Sequence, residues 1–151
     1  MTATRILLAL AALTVGATSA QANTTGSIQL KGTVQAVCSI AVTETSSQQL
    51  NITGGENNKQ VGEVVETCNS GAGYTVTVTS ANAGQLKNGN STISYSLRYD
   101  TQNGTLNSPM SVQRSQPERD KRSTVAVTIP ATAAAVAGTY ADTITISIAA
   151  R

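Results

Sequence analysis

EVVETCNSGAGYTVTVT, residues 63–79, sets two β-branched runs on either side of a turn. Tyr74, Val76 and Val78 alternate with Thr75, Thr77 and Thr79. That period of two sends one set of side chains to a core and the other to solvent. Val61 to Thr67 reads as the preceding strand, and Asn69-Ser70-Gly71 as the turn between them. The same grammar extends in both directions. Ile28, Leu30 and Val34 alternate with Gln29, Lys31, Thr33 and Gln35, and Leu50-Asn51-Ile52 is a short second piece. Ile93, Tyr95, Leu97 and Tyr99 alternate with Ser94, Ser96 and Arg98, and Val125, Val127 and Ile129 follow. Ile144, Ile146 and Ile148 close the series against Thr145 and Ser147. Gly54-Gly55, Asn88-Gly89-Asn90 and Asn103-Gly104 supply turn signals, while Pro130 and Gly138 confine the Ala-rich stretch 131–137 to a connection. Short strands with one apolar face each predict an antiparallel β-sandwich.

Composition narrows the chemistry. The chain has 151 residues, one domain's worth, with 40% hydrophobic but only 3% aromatic residues. Only 12% are charged, so Ser, Thr, Asn and Gln must solvate the surface. A net charge of +2 gives no basic stripe for nucleic acid. The absence of His removes the commonest general base and the commonest metal ligand. Two Cys cannot complete a four-ligand zinc site without carboxylates. Neither a catalytic site nor a cofactor is predicted.

The first residues read as a targeting signal. Arg5 precedes the apolar run Ile6 to Ala17, and Ala20-Gln21-Ala22 is the small-x-small pattern of a cleavage site. The run breaks at Thr18-Ser19, short of the roughly 20 residues of a membrane-spanning helix. Residues 1–22 are therefore expected to be a signal peptide, leaving a mature chain that is exported and does not span a membrane. In an oxidising compartment Cys38 and Cys68 are expected to form a disulfide. A reactive thiol, the other reading, lacks a His or a clear basic neighbour to stabilise a thiolate.

Both ends of the mature chain are unusual for a self-contained sandwich. Asn23-Thr24-Thr25-Gly26-Ser27 is polar and leads without a turn into the alternation at Ile28. The other end stops three residues after Ile148, still in strand pattern. A free N-terminal strand and an unpaired C-terminal edge together suggest head-to-tail strand addition.

Three segments resemble the spore coat U-like domain of chaperone–usher fimbrial (pilin) subunits. They are Gly32 to Ile40 leading to the first cysteine, Glu63 to Val76 with its Cys, Gly turn and Tyr, and the pairing of Ile93–Asp100 with the ending Gly138–Ile146. The resemblance implies an immunoglobulin-like sandwich lacking its last strand. It also implies a structural subunit of a surface fimbria, reached through the periplasm and serving adhesion or biofilm formation. The implied partners are identical or related subunits joined head-to-tail, a periplasmic chaperone that lends a strand, and an outer-membrane usher. Residues 23–31 would then be a donor extension and 32–151 the pilin-like domain. Thr24, Gly26, Ile28 and Leu30 would point into a neighbour's groove, with Gly26 at a shallow pocket. The alternative reading makes Ile28 and Leu30 the start of this chain's own first strand. The acceptor edge would be Thr143 to Ile148, with Ile144, Ile146 and Ile148 inward, and the carboxylate of Arg151 would dock on the chaperone.

The remaining features carry less. Arg114 to Arg122 (RSQPERDKR) reads as a solvated hairpin loop, with a partner contact as the other reading. Glu63 and Glu66 fall on opposite faces of a regular strand and make no catalytic pair. The serines lack a base and an elbow, and Gly71-Ala72-Gly73 lacks the helix of a phosphate loop. The contrasting function is a secreted monomeric β-sandwich that binds a carbohydrate or protein ligand through its loops.

Overall fold

The computed structural model describes residues 24–45 and 49–151; the expected signal peptide and Asn23 lie outside them. Thr24–Thr33 belongs to a unit of its own, apart from Val34–Arg151. Thr24–Thr33 carries no strand, and every side chain in it is exposed. The alternation at 28–35 therefore forms no strand: period two makes a segment able to pair, but a strand exists only where a ladder satisfies its amides.

The described residues of Val34–Arg151 are all β, with ten strands in chain order: β1 Cys38–Glu44, β2 Glu56–Cys68, β3 Tyr74–Ser80, β4 Gln85–Asn88, β5 Ser91–Ser94, β6 Ser96–Tyr99, β7 Gln102–Gly104, β8 Met110–Arg114, β9 Glu118–Ile129 and β10 Ile144–Ala150. One sheet has the order β1-β2-β9-β6-β7, a second β10-β3-β8, and β4-β5 is a separate hairpin. All recorded pairings are antiparallel. The inward residues of the two main sheets meet in one aliphatic core: Val64, Tyr74, Val76, Val78, Leu97, Tyr99, Val112, Val125, Val127 and Ile129 are all buried. The architecture is the antiparallel sandwich expected from the alternation, and it is immunoglobulin-like, as the resemblance implies.

Local departures from the sequence reading have physical causes. Leu50–Ile52 is not a strand. The Asn51 carboxamide oxygen accepts from the Gly54 amide and shapes a turn, with Leu50 and Ile52 packed on the core. The run Ile93–Tyr99 is broken at Tyr95, where the chain leaves β5 beside β4 and enters β6 beside β9. The Tyr95 amide there donates to the Gly84 carbonyl instead of to a ladder. Gly84 is at φ +75°, and a Cβ would lie 1.7 Å from the Thr105 carbonyl oxygen. The β6–β7 turn sits at Asp100-Thr101, not at Asn103-Gly104, with Asp100 at φ +55°. Arg114–Arg122 is not a hairpin loop: β8 and β9 lie in different sheets, and only residues 115–117 separate them. The 131–137 stretch is a connection, as its flanking Pro130 and Gly138 require.

Candidate functional site

Among the described residues the two main sheets end in four edge strands, β7 and β8 away from the opening and β1 and β10 beside it. There β1 pairs only with β2, and β10 only with β3. They approach each other along one side, where the two sheets are not closed by a shared strand. Between them lies a cleft of about 210 Å³ lined by Val42 and Glu44 of β1, Val61 and Gly62 of β2, Val125 of β9, and Asp142 to Ile146 at the start of β10, Thr145 excepted. A smaller cavity of about 100 Å³ continues from it past Leu50, Leu86, Tyr95 and Val127.

The burial along β10 describes the same opening. Val76 and Val78 on the adjacent β3 are wholly buried, whereas Ile148 and Ile146 opposite them, and Ile144 opposite Ser80, are only half-buried. Across the cleft Ile40 is half-buried and Val42 is 52% exposed. Apolar side chains in the inward frame of a strand are ordinarily covered, and full burial is worth about 1.5–3 kcal/mol each. A strand's length of core-type surface is thus presented to the outside, beside the edges of β1 and β10, neither of which has a second strand partner among the described residues.

The two ends of this opening are built differently. At the start of β10, Asp142 is held by Ser80 Oγ (2.5 Å) and Tyr95 Oη (2.6 Å), with the Asn82 and Thr143 amides on its other oxygen. Burial and that carboxylate raise the Tyr95 phenol well above its usual range. At the far end the Arg151 amide donates to the Gly73 carbonyl, and Ser70 Oγ donates to the Arg151 carbonyl oxygen. The Arg151 guanidinium donates to Ala72 O and Gln113 Oε1.

Beneath that far end lies a charged cluster inside the core. Glu66 of β2, with no exposed surface, accepts five hydrogen bonds: two from Arg114 (3.0 and 3.1 Å) and one each from Tyr74, Tyr99 and Ser123. Burial by itself would raise the Glu66 carboxyl, but the donors from Arg114, Ser123, Tyr99 and Tyr74 outweigh it and hold the group down at about 2. Burial and the Glu66 charge push Tyr74 and Tyr99 well up. Arg114 also pairs with Asp100 (3.1 Å), which Lys121 approaches at 3.3 Å. The cluster ties the sheet of β2, β6 and β9 to the sheet of β3 and β8 across the core.

The Cys38–Cys68 disulfide links β1 to β2 at a directly paired register position. Just before it, the Asn69 side chain accepts from the Val37 amide and donates to Gln35 O. The wall of the cleft formed by β1 is therefore fixed at its start by a covalent bond and by Asn69.

The spore coat protein U domain model matches residues 24–147. The chain belongs to that family. Searches of curated proteins and of solved structures found no match. The spore coat protein U family is one of fimbrial, pilus-type structural subunits, and the feature to consider in this member is the opening between β1 and β10. No helix among the described residues is long and apolar enough to cross a membrane.

The residues singled out from sequence fall in two places. Ile144, Ile146 and Ile148 share the inward frame of the unpaired β10 edge. Thr24, Gly26, Ile28 and Leu30 are exposed, Ile28 and Leu30 by 90% and 93%. Glu63 and Glu66 do face opposite ways: Glu63 meets Arg122, and Glu66 enters the core. Sequence reasoning missed Glu66, Arg114, Tyr99 and Ser123 as a unit, and missed Val42, Val61 and Gly62 as the cleft's lining. The signal for Glu66 was its frame: it shares the inward frame of β2 with Val64 and Cys68, where a charge requires a partner.

Proposed function

We propose that this chain is a structural, non-enzymatic subunit of a surface fibre, and that subunits join by strand donation. In this reading residues 1–22 direct export and are removed. Thr24, Gly26, Ile28 and Leu30 of one subunit enter the β1–β10 opening of the next and cover Ile144, Ile146 and Ile148. A periplasmic chaperone lends a strand to the same opening before assembly and meets the carboxylate of Arg151, and an outer-membrane usher exchanges that strand for the donor. The fibre serves adhesion or biofilm formation. The observation that carries the reading is the unclosed side of the sandwich, with half-buried isoleucines on one edge strand, in a member of a pilus-type family. An added strand would extend the ladder of β10 and fill the cleft with alternate side chains.

Deleting residues 23–30 tests it. The intact chain run unheated on a denaturing gel is expected to give a ladder of multimers, and the deletion only monomer. An intact chain that is monomeric, soluble and stable without a chaperone would overturn the proposal.

A further inference from the structure

We infer that a second cavity, beside the disulfide where β1 and β9 begin and β2 ends, is a binding site for a neutral sugar ring. Val37 and Pro117 meet the C–H face of the ring, and Ser39, Glu118 and Arg119 meet its hydroxyl groups. No residue of this cavity lines the opening between β1 and β10. The inference therefore goes beyond strand donation and holds whether or not subunits join.

The cavity holds about 370 Å³, more than the cleft beside β10, and small-molecule sites run from about 300 to 1,000 Å³. Both of its walls are fixed by side chains of β2 and the turn after it. On one side Asn69 holds residues 35–37. Its side-chain oxygen accepts from the Val37 amide (2.6 Å), its side-chain nitrogen donates to the Gln35 carbonyl (3.0 Å), and its own amide donates to the Val37 carbonyl (3.1 Å). On the other side β9 bulges against β2 between the Lys121–Glu66 and Glu118–Cys68 pairs. Asp120 stands in that bulge at φ +54°, a left-handed conformation uncommon for a residue with a Cβ. Thr67 holds it there: the Asp120 amide donates to Thr67 Oγ1, which donates to Asp120 Oδ1. A bulge re-aims the side chains beside it, and here Glu118 and Arg119 line the cavity. With both walls already fixed, little of the binding energy goes into ordering them.

The groups that the walls leave uncommitted decide the ligand. Among the described residues of Val34–Arg151, Arg119 and Lys87 are the side-chain cations with no hydrogen bond or ion pair; the others are held by protein partners. The planar fork of Arg119 donors is thus free. The Ser39 hydroxyl also makes no hydrogen bond among the described residues, and Glu118 accepts one, from Gln116 Nε2. A fork of donors, a carboxylate acceptor and a hydroxyl side by side match the neighbouring hydroxyls of a sugar, each of which donates and accepts. Charge decides against an ionic ligand: Glu118 and Arg119 offset one another, so neither an anion nor a cation gains by entering. Val37 is 63% exposed and Pro117 is exposed, an apolar wall that the C–H groups of a ring would cover.

Saturation-transfer NMR observes the sugar rather than the protein, so it serves the intact chain as monomer or as polymer. The probes are the methyl glycosides of glucose, galactose, mannose and N-acetylglucosamine, with glucuronate as a charged counterpart. At least one neutral glycoside is expected to saturate, most strongly at its ring C–H protons. Its dissociation constant should rise about tenfold in Arg119→Ala, as loss of a hydrogen bond to a charged group implies, and severalfold in Ser39→Ala. Arg119→Lys, which keeps the charge without the fork, should also bind more weakly than the parent. Lys87→Ala, which removes the other unpaired cation, should change nothing. Arg119 and Ser39 are both exposed, and unchanged melting temperatures check that their variants keep the fold. Saturation of no neutral glycoside overturns the inference, and binding of glucuronate alone overturns the ligand class. An affinity unmoved by Arg119→Ala and Ser39→Ala, or weakened as much by Lys87→Ala, overturns the cavity as the site. None of these results bears on strand donation.

Discussion

Glu66 is the residue whose surroundings depend most on its charge. Its carboxylate has no exposed surface and five donors, so breaking the cluster takes from the part-buried Arg114 its two bonds to Glu66. Removing one partner of a buried ion pair costs about 3–5 kcal/mol, and Glu66→Gln is expected to lose stability toward the lower end of that range, because Arg114 keeps Asp100. The pH dependence follows from the lowered carboxyl. In the unfolded chain Glu66 titrates near the ordinary glutamate value of 4.5, and in the folded state at about 2. Its contribution, on the order of 3 kcal/mol, is therefore complete above about pH 4.5 and is lost as pH falls toward 2. Urea unfolding at pH 7 and at pH 2.5 checks this: the gap between wild type and Glu66→Gln should shrink sharply at the acid end. An unchanged gap would show that the charge is not what the cluster holds. None of this was visible as a site in the sequence. Alternation showed that Glu63 and Glu66 point apart, but Arg114 lay in a charge-rich run whose other members are surface groups, and only the crossing from β8 to β9 brings it to Glu66.

At the scale of elements, β3 and β10 were legible as strands and the pairing of strands was not. Ile144, Ile146 and Ile148 alternate so strictly that their strand and inward face follow from period two alone. What alternation cannot give is pairing: the Ile93–Tyr99 run looks like one strand, yet it serves two sheets because Tyr95 bonds to Gly84 outside any ladder. The 28–35 run alternates as well as β10 does and forms no strand, since pattern states capacity and a partner decides use. The half-burial of β10 yields a differential prediction. A wholly buried Ile→Ala change costs about 2–5 kcal/mol. Ile146→Ala should cost less than that range in the uncomplemented subunit and fall within it once a Thr24–Leu30 strand is bound. Chemical denaturation with and without a donor peptide measures the two values, and equal losses would mean that the donor does not cover Ile146.

At the scale of the whole molecule, the low charge, the absence of His and the four tyrosines acquire a common meaning. Three of those tyrosines, Tyr74, Tyr95 and Tyr99, are buried and direct their hydroxyls at Glu66 or Asp142, so the aromatic content is spent on fastening the core while Val and Ile fill it. The side left open is the one bounded by β1, and β1 is held by the Cys38–Cys68 bond. Closing a loop of 30 residues contributes roughly 3–4 kcal/mol in the chain-entropy model. An occupant of the opening stabilises the folded state by mass action, about 2.7 kcal/mol at a hundredfold excess over its dissociation constant. The two effects act on the same wall, which makes their combination informative. A Cys38→Ala, Cys68→Ala chain should melt well below the parent, and a Thr24–Leu30 peptide near saturation should raise either chain's Tm by on the order of 10 °C. The dissociation constant should be larger for the chain without the disulfide, because β1 must then be ordered by the peptide itself and that ordering draws on the binding energy. A peptide with Ile28→Asp should leave both melting temperatures unmoved, since it would place a carboxylate in the opening. Equal affinity for the two chains would show that β1 is held without the disulfide, and an Ile28→Asp peptide as effective as the parent would place the peptide somewhere other than the cleft.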